Sequence, residues 1–85
     1  MEVKVLGSGC AKCQKLHADA EKAIARSGVP ATLVKVEDLR EIMAFRVLTT
    51  PALVVDGEVK CAGRVPAVPE MVSWIATAAM KEKEG

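Results

Sequence analysis

The feature that most constrains the fold of this chain is a pair of cysteines that directly follows an apolar run. Val3-Lys4-Val5-Leu6 predicts a strand over residues 2–6, and Gly7-Ser8-Gly9 predicts a tight turn after it. Helical spacing begins at Cys10 and predicts a helix over residues 10–27. Its buried side is expected to comprise Cys13, Leu16, Ala20, Ala23 and Ile24. The sequence therefore places a Cys-x-x-Cys motif where a strand turns into a helix.

The segment after this helix predicts a second strand beside the first. Gly28 and Pro30 should end the helix, because glycine accepts the left-handed cap conformation and proline cannot continue a helix. Residues 31–36 then predict a strand. A strand, a helix and a strand in this order predict a right-handed crossover with the two strands parallel.

A second helix is expected to begin at Asp38, because aspartate is a favoured N-cap residue. It should end near Arg46 or Val47, ahead of Thr49-Thr50-Pro51. Proline cannot donate to a sheet ladder, so Pro51 marks the start of a third strand. The apolar side of this helix is expected to comprise Leu39, Ile42, Met43 and Phe45.

The second half of the chain predicts a hairpin and a last helix. Asp56-Gly57 suits a type I′ turn between strands at 52–55 and 58–61, because both central residues of that turn need positive φ. Gly63 marks the end of the hairpin. Pro69 fits the first turn of a helix over residues 69–80, followed by a frayed tail at 81–85. The buried side of the helix is expected to comprise Met71, Ile75, Ala78 and Ala79, with Trp74 alongside.

The resulting element order, β-α-β-α-β-β-α, predicts an α/β fold. One four-stranded mixed sheet with helices on both faces satisfies it, and we expect the last two strands to run antiparallel to the first two. Because 85 residues suffice for one domain and no more, residues 1–80 are expected to form a single domain.

Charge and hydropathy argue against two classes of partner. The chain has 12 basic and 11 acidic residues and a formal net charge of +1, so nucleic acid is not the expected partner. No apolar run approaches the ~20 residues that a membrane span needs, and no signal peptide is visible before the first strand. We expect a monomer in the cytoplasm, where three cysteines indicate redox or metal chemistry more than structural bridges.

The position of the cysteine pair favours thiol chemistry. A thiol at a helix N-terminus faces free backbone N–H groups and the positive end of the helix dipole, which lower its pKa and favour the reactive thiolate. Cys13 lies on the same side of the first turn and is within reach of Cys10 for a disulfide. Cys61 alternates with Val59 on the hairpin and is expected to be a small buried hydrophobic residue.

Two other uses of these cysteines stay open on the residues alone. Cys-x-x-Cys is also a clamp for soft metals, with His17 or Cys61 as further ligands. Otherwise His17 is expected to be a half-exposed helix residue. The thiols could also serve as a sensor in an interaction domain.

Two segments together resemble the thioredoxin superfamily. They are Gly-Ser-Gly-Cys-Ala-Lys-Cys-Gln-Lys-Leu at residues 7–16 and Val-Leu-Thr-Thr-Pro-Ala-Leu-Val-Val-Asp-Gly at residues 47–57. The chain is most similar to the small thioredoxin- or glutaredoxin-like proteins of archaea and bacteria called redox-active disulfide proteins, over about residues 2–80. The resemblance implies a minimal thioredoxin fold in which the bond before Pro51 is cis. It also implies that Cys10 is the attacking cysteine and Cys13 the resolving one.

The activity that this resemblance implies is that of a thiol–disulfide oxidoreductase, or dithiol electron carrier, without an organic cofactor. A protein disulfide would be the substrate, and a thioredoxin-reductase-like flavoenzyme or another dithiol protein would reload the pair. The chain departs from familiar thioredoxins between its cysteines and just before them. Those proteins also carry a buried acid on the strand before the motif, and the corresponding stretch here, Val3-Lys4-Val5, contains no acid. The residues expected to contact substrate are Thr50, Pro51, Gly9, Ala11, Lys12 and Gly63.

Overall fold

Four strands form one sheet with three helices packed on it, and the elements follow the predicted order. The computed structural model describes the backbone of residues 1–84 and the side chains of residues 1–81. These residues form β1 (Glu2–Leu6), α1 (Ala11–Ser27), β2 (Thr32–Val36), α2 (Leu39–Ala44), β3 (Ala52–Val55), β4 (Glu58–Ala62) and α3 (Val68–Glu84). None of these helices is both long and apolar enough to cross a bilayer.

The sheet has the strand order β2-β1-β3-β4. β1 pairs with β2 in parallel and with β3 antiparallel, and β3 pairs antiparallel with β4. The predicted mixed sheet is therefore confirmed, but the predicted direction of β4 is wrong. A hairpin reverses the chain between β3 and β4, so that β4 runs parallel to β1 and only β3 runs against the first two strands.

Helices cover both faces of the sheet, as predicted. α1 and α3 pack on one face, where the core comprises Val3, Val5, Leu16, Ala20, Ala23, Leu53, Val55, Cys61, Met71, Ile75 and Ala78. α2 packs on the other face, where the core comprises Leu6, Val36, Ile42, Ala52 and Val54. All four residues of β3 are buried, since this central strand is covered on both sides.

Local capping and turn signals are confirmed. Gly28 ends α1 in the left-handed conformation with φ 69°, and the Asp38 carboxylate accepts a hydrogen bond from the Arg40 backbone N–H at 2.8 Å. Asp56 and Gly57 have φ values of 51° and 85°, both positive as a type I′ turn requires.

Element boundaries differ from the prediction at several ends. α1 begins at Ala11, with Cys10 as its N-cap, and β2 begins at Thr32 rather than at residue 31. α3 starts one residue early and continues to Glu84, so the predicted end at residue 80 was short, since no helix breaker occurs before Gly85. A frayed tail was predicted for residues 81–85. The backbone of residues 81–84 belongs to α3 instead, and Gly85 lies outside the described residues.

The predicted apolar side of α2 is wrong at two positions. Leu39 and Met43 are 68% and 64% exposed, whereas Ile42 is buried and Phe45 is half-buried. A helix of six residues lies too briefly on the sheet to bury more than one position fully. Met43 therefore belongs to the surface. On α3, Met71 is fully buried and Trp74 is half-buried against the core, as predicted.

Candidate functional site

The turn between β1 and α1 positions the cysteine pair. Gly7 continues the hydrogen bonding between β1 and β2, because its N–H donates to the Val36 carbonyl at 2.9 Å. Gly9 has φ 87° and redirects the chain into the helix. Cys10 then caps α1 with extended backbone angles, and its Sγ accepts a hydrogen bond from the Cys13 backbone N–H at 3.4 Å. No acidic residue occupies the first turn, so the positive end of the helix dipole is left to the thiol.

The two sulfurs of the motif are in contact but lie in different environments. Cys10 Sγ and Cys13 Sγ are 2.7 Å apart, and both cysteines are free thiols in this structure. Cys10 is exposed at the start of the helix, whereas Cys13 is only 2% exposed. The Cys10 thiol is therefore accessible to a large molecule, whereas the Cys13 thiol is accessible only to Cys10.

The pKa values of the two thiols move in opposite directions. The pKa of Cys10 is lowered, first by the hydrogen bond from the Cys13 thiol and then by the bond from the Cys13 backbone N–H. Lys12 contributes to this lowering through its backbone N–H, and its side chain is exposed. The pKa of Cys13 is raised, first by burial and then because its thiol donates to Cys10. The negative charge of the pair therefore belongs on the exposed sulfur.

Removing the Cys13 thiol is expected to raise the pKa of Cys10. In Cys13→Ala the largest cause of the lowered pKa is gone, although the backbone N–H groups of the helix start are unchanged. The rate of Cys10 alkylation by iodoacetamide follows the thiolate fraction, so its pH midpoint should move upward from that of the wild type. An unchanged midpoint would show that the helix start alone sets the reactivity of Cys10.

The segment before β3 lies close to Cys13 at Thr50. The Thr50–Pro51 peptide bond is cis, with Thr50 exposed and Pro51 buried. A Cβ atom built on Gly7 would overlap Cys13 Sγ and lie 3.8 Å from Thr50 Cβ, so this small volume joins the two segments. The Pro51 carbonyl accepts a hydrogen bond from the Gly63 N–H at 2.8 Å, which adds the end of β4 to the same region.

The remaining predicted site residues lie at the start of α1 and at the end of β4. Gly9 is half-buried, and its carbonyl accepts a hydrogen bond from the Gln14 side chain at 3.2 Å. Ala11 and Lys12 are exposed in the first turn of α1, and Gly63 is exposed with φ 82°. A Cβ atom on Gly63 would lie 2.7 Å from Thr49 Oγ1, so glycine there permits a close approach to the loop before Pro51.

Cys61 and His17 do not join the cysteine pair in a cluster. Cys61 lies in the core beneath α1 and α3 with its Sγ 3.5 Å from the Arg64 carbonyl, and burial raises the pKa of its thiol. His17 is half-buried, with its Nδ1 3.8 Å from a Glu21 carboxylate oxygen. Among residues 1–81, no three His, Cys, Asp or Glu side chains come together in a way that could hold a metal ion. The predicted buried Cys61 and half-exposed His17 are thus confirmed.

A groove beside Thr50 was missed in the sequence. We call it the α2 groove, and it encloses about 450 Å³. Its lining comprises Leu39, Ile42, Met43, Arg46, Val47, Leu48 and Thr50. Arg46, two residues after the end of α2, has φ 60°, and Leu48 is 99% exposed. The available signal was the apolar residues Leu39, Met43 and Leu48 around the end of the helix, but helical spacing assigned Leu39 and Met43 to its buried side.

The fold and the thiol pair together define a thiol–disulfide oxidoreductase, and comparisons with known proteins agree. Residues 1–76 match the model of a thioredoxin domain family. A thioredoxin of Methanothermobacter thermautotrophicus is 35% identical over 71 residues, covering 84% of this chain and 92% of that protein. A thioredoxin of Methanocaldococcus jannaschii is 33% identical over 69 residues, covering 81% and 79% respectively. The chain belongs to the thioredoxin superfamily, which confirms the resemblance found in its sequence.

Proposed function

We propose that this protein reduces disulfides of protein partners through Cys10 and Cys13. One observation carries the proposal: an exposed thiol of lowered pKa lies 2.7 Å from a buried thiol of raised pKa. The first has the properties of an attacking nucleophile, because the thiolate is the reactive form. The second is protected from solvent and placed to act only on the sulfur beside it.

In the first step the Cys10 thiolate attacks one sulfur of the substrate disulfide. A bond forms between Cys10 Sγ and that sulfur, the substrate disulfide bond breaks, and the other substrate sulfur leaves as a thiolate that takes up a proton. Bonding of Cys10 Sγ to the substrate also removes the charge that raises the pKa of Cys13. In the second step Cys13 Sγ attacks Cys10 Sγ as it gives up its proton. A Cys10–Cys13 disulfide forms, the bond from Cys10 Sγ to the substrate breaks, and the second substrate sulfur departs as a thiolate that takes up this proton.

Two electrons thus pass from the pair to the substrate, and a reductant must return them. We propose a flavoenzyme of the thioredoxin-reductase type or another dithiol protein in this role, and the two sulfurs need no organic cofactor. A pair that works in the reduced state fits the cytoplasm, where thiols are kept reduced.

The surface around Cys10 is proposed to hold the substrate chain. In this proposal Gly9, Ala11 and Lys12 contact the substrate beside Cys10 in the chain, and Thr50, Pro51 and Gly63 contact it from the segment before β3 and the end of β4. Since Thr50 lines both this region and the α2 groove, we propose that an apolar side chain of the partner protein near its disulfide occupies the groove. A protein disulfide would then be preferred over a small one.

The α2 groove provides a test of both the activity and the preference. The double variant Met43→Gln/Leu48→Gln should lower kcat/KM for insulin disulfides by about tenfold, because two exposed apolar contacts are lost. Reduction of hydroxyethyl disulfide, which is too small to fill the groove, should be unchanged. Met80→Gln is the matched control, since Met80 on α3 has the same exposed fraction as Met43, 64%.

Two outcomes would contradict these proposals. If the wild type reduces neither insulin nor hydroxyethyl disulfide under a dithiol reductant, the proposed activity is wrong. If the groove variant and Met80→Gln reduce insulin equally well, the activity stands and the assignment of the groove is wrong.

A further inference from the structure

Gly7 is buried at the end of β1, although its backbone does not require glycine. Within residues 1–84, the glycines with positive φ are Gly9, Gly28, Gly57 and Gly63, and Gly7 is not one of them. An alanine could therefore adopt the backbone conformation at position 7 without strain. The reason for glycine at this position must lie in the space around it.

That space is occupied by the sulfur of Cys13. A Cβ atom on Gly7 would overlap Cys13 Sγ and lie 3.2 Å from Cys13 Cβ and 3.8 Å from Thr50 Cβ. The backbone of Gly7 cannot easily withdraw, because its N–H is bonded to the Val36 carbonyl at 2.9 Å beyond the end of the β1–β2 pairing. Cys13 Sγ thus lies where any side chain at position 7 would begin.

The opposite side of the same sulfur faces Cys10. Cys13 Sγ lies 2.7 Å from Cys10 Sγ and is shielded from solvent. The sulfur is therefore confined between a backbone surface and the atom that it would attack. A side chain at position 7 would displace Cys13 Sγ and so change the distance and angle at which it approaches Cys10 Sγ.

We propose that Gly7 is a positioning residue for the resolving thiol. Because position 7 has no side chain, Cys13 Sγ can occupy the place from which it attacks Cys10 Sγ. This inference rests on the proposed function and specifies which of its two steps depends on Gly7. In that step a bond forms between Cys13 Sγ and Cys10 Sγ, the bond from Cys10 Sγ to the substrate breaks, and the substrate sulfur leaves as a thiolate that takes up a proton. The first step should be spared, because the atoms nearest to the missing Cβ belong to Cys13 and Thr50 rather than to Cys10.

The test is a single-turnover reaction of reduced Gly7→Ala with hydroxyethyl disulfide, quenched in acid and followed by mass spectrometry. The adduct at Cys10 should form at the wild-type rate. Its resolution into the Cys10–Cys13 disulfide should be slowed about 10- to 100-fold, since a displacement of about 1 Å can cost that much. The adduct should therefore accumulate in the variant. Resolution at the wild-type rate would overturn the inference, and so would an equal slowing of both steps.

Gly28→Ala is the matched control for a general loss of stability. Gly28 has open space around its missing Cβ and φ 69°, so alanine there costs about 1 kcal/mol without touching a cysteine. Its adduct should resolve at the wild-type rate. If Gly7→Ala does not fold, the double variant Gly7→Ala/Cys13→Ala decides, because removal of the sulfur removes the overlap. Recovered folding supports the inference, and a double variant that stays unfolded overturns it. A wild type that forms neither adduct nor disulfide would instead refute the proposed function.

Discussion

Replacing Cys10 with serine is expected to abolish disulfide exchange while the fold is retained. A serine hydroxyl does not ionise near neutral pH and cannot act as the attacking thiolate. Cys13 cannot substitute for it, because this thiol is buried and its pKa is raised. The fold should tolerate the change, since serine is a favoured N-cap residue and position 10 is exposed. Reduction of hydroxyethyl disulfide should fall to the rate given by the dithiol reductant alone, with an unchanged unfolding midpoint.

Cys61→Ser is the matched control for this loss of a thiol. Cys61 lies in the core, so the substitution should lower the free energy of unfolding by about 1 kcal/mol and leave exchange at the wild-type rate. If Cys61→Ser is folded but as inactive as Cys10→Ser, the two-cysteine mechanism is wrong. A site built from three thiols would then be the better account.

Replacing Cys13 with serine is expected to trap the substrate on Cys10. The first step still proceeds, because Cys10 keeps its place at the helix start and the backbone N–H of residue 13. The second step needs a thiolate at position 13, which serine cannot supply. After reaction with hydroxyethyl disulfide, mass spectrometry should find one adduct per chain at Cys10. The wild type should accumulate no adduct.

The double variant Cys10→Ser/Cys13→Ser separates this trap from adventitious oxidation. It keeps only Cys61, whose thiol is buried and has a raised pKa, so no adduct should form. An adduct on Cys61 in either variant would show that the exposed thiol was misidentified. A Cys13→Ser protein that releases its adduct at the wild-type rate would show that another group resolves it.

Local rules account for the parts of the fold that were predicted. The Asp56-Gly57 turn, the glycine cap of α1 and the aspartate cap of α2 each depend on a few adjacent residues and on one conformational preference. Cys10 at the helix start follows from the same kind of rule. These local rules placed Cys10 at the start of a helix and Pro51 at the entry to a strand, each within its own segment.

What was missed depends on contacts between distant segments. Helical spacing identified an apolar side of α2 but not how much of it the sheet would cover, so Leu39 and Met43 were assigned to the core. The space that Gly7 leaves for Cys13 Sγ could not be predicted from its neighbours in sequence. A glycine that is needed for a turn cannot be distinguished in a sequence from one that is needed to make room for another side chain. The resemblance to a known superfamily supplied the pairing of Thr50-Pro51 with the cysteines.

The most direct test of the central claim is a redox titration of the protein with oxidised and reduced dithiothreitol, read by alkylation and mass spectrometry under anaerobic conditions. We expect one transition with a two-electron slope, about 30 mV per tenfold change in the ratio of the two forms. The oxidised form should contain a Cys10–Cys13 disulfide, and Cys61 should stay reduced throughout. A disulfide that includes Cys61, or a thiol pair that cannot be oxidised because it holds a stoichiometric metal ion, would contradict the account.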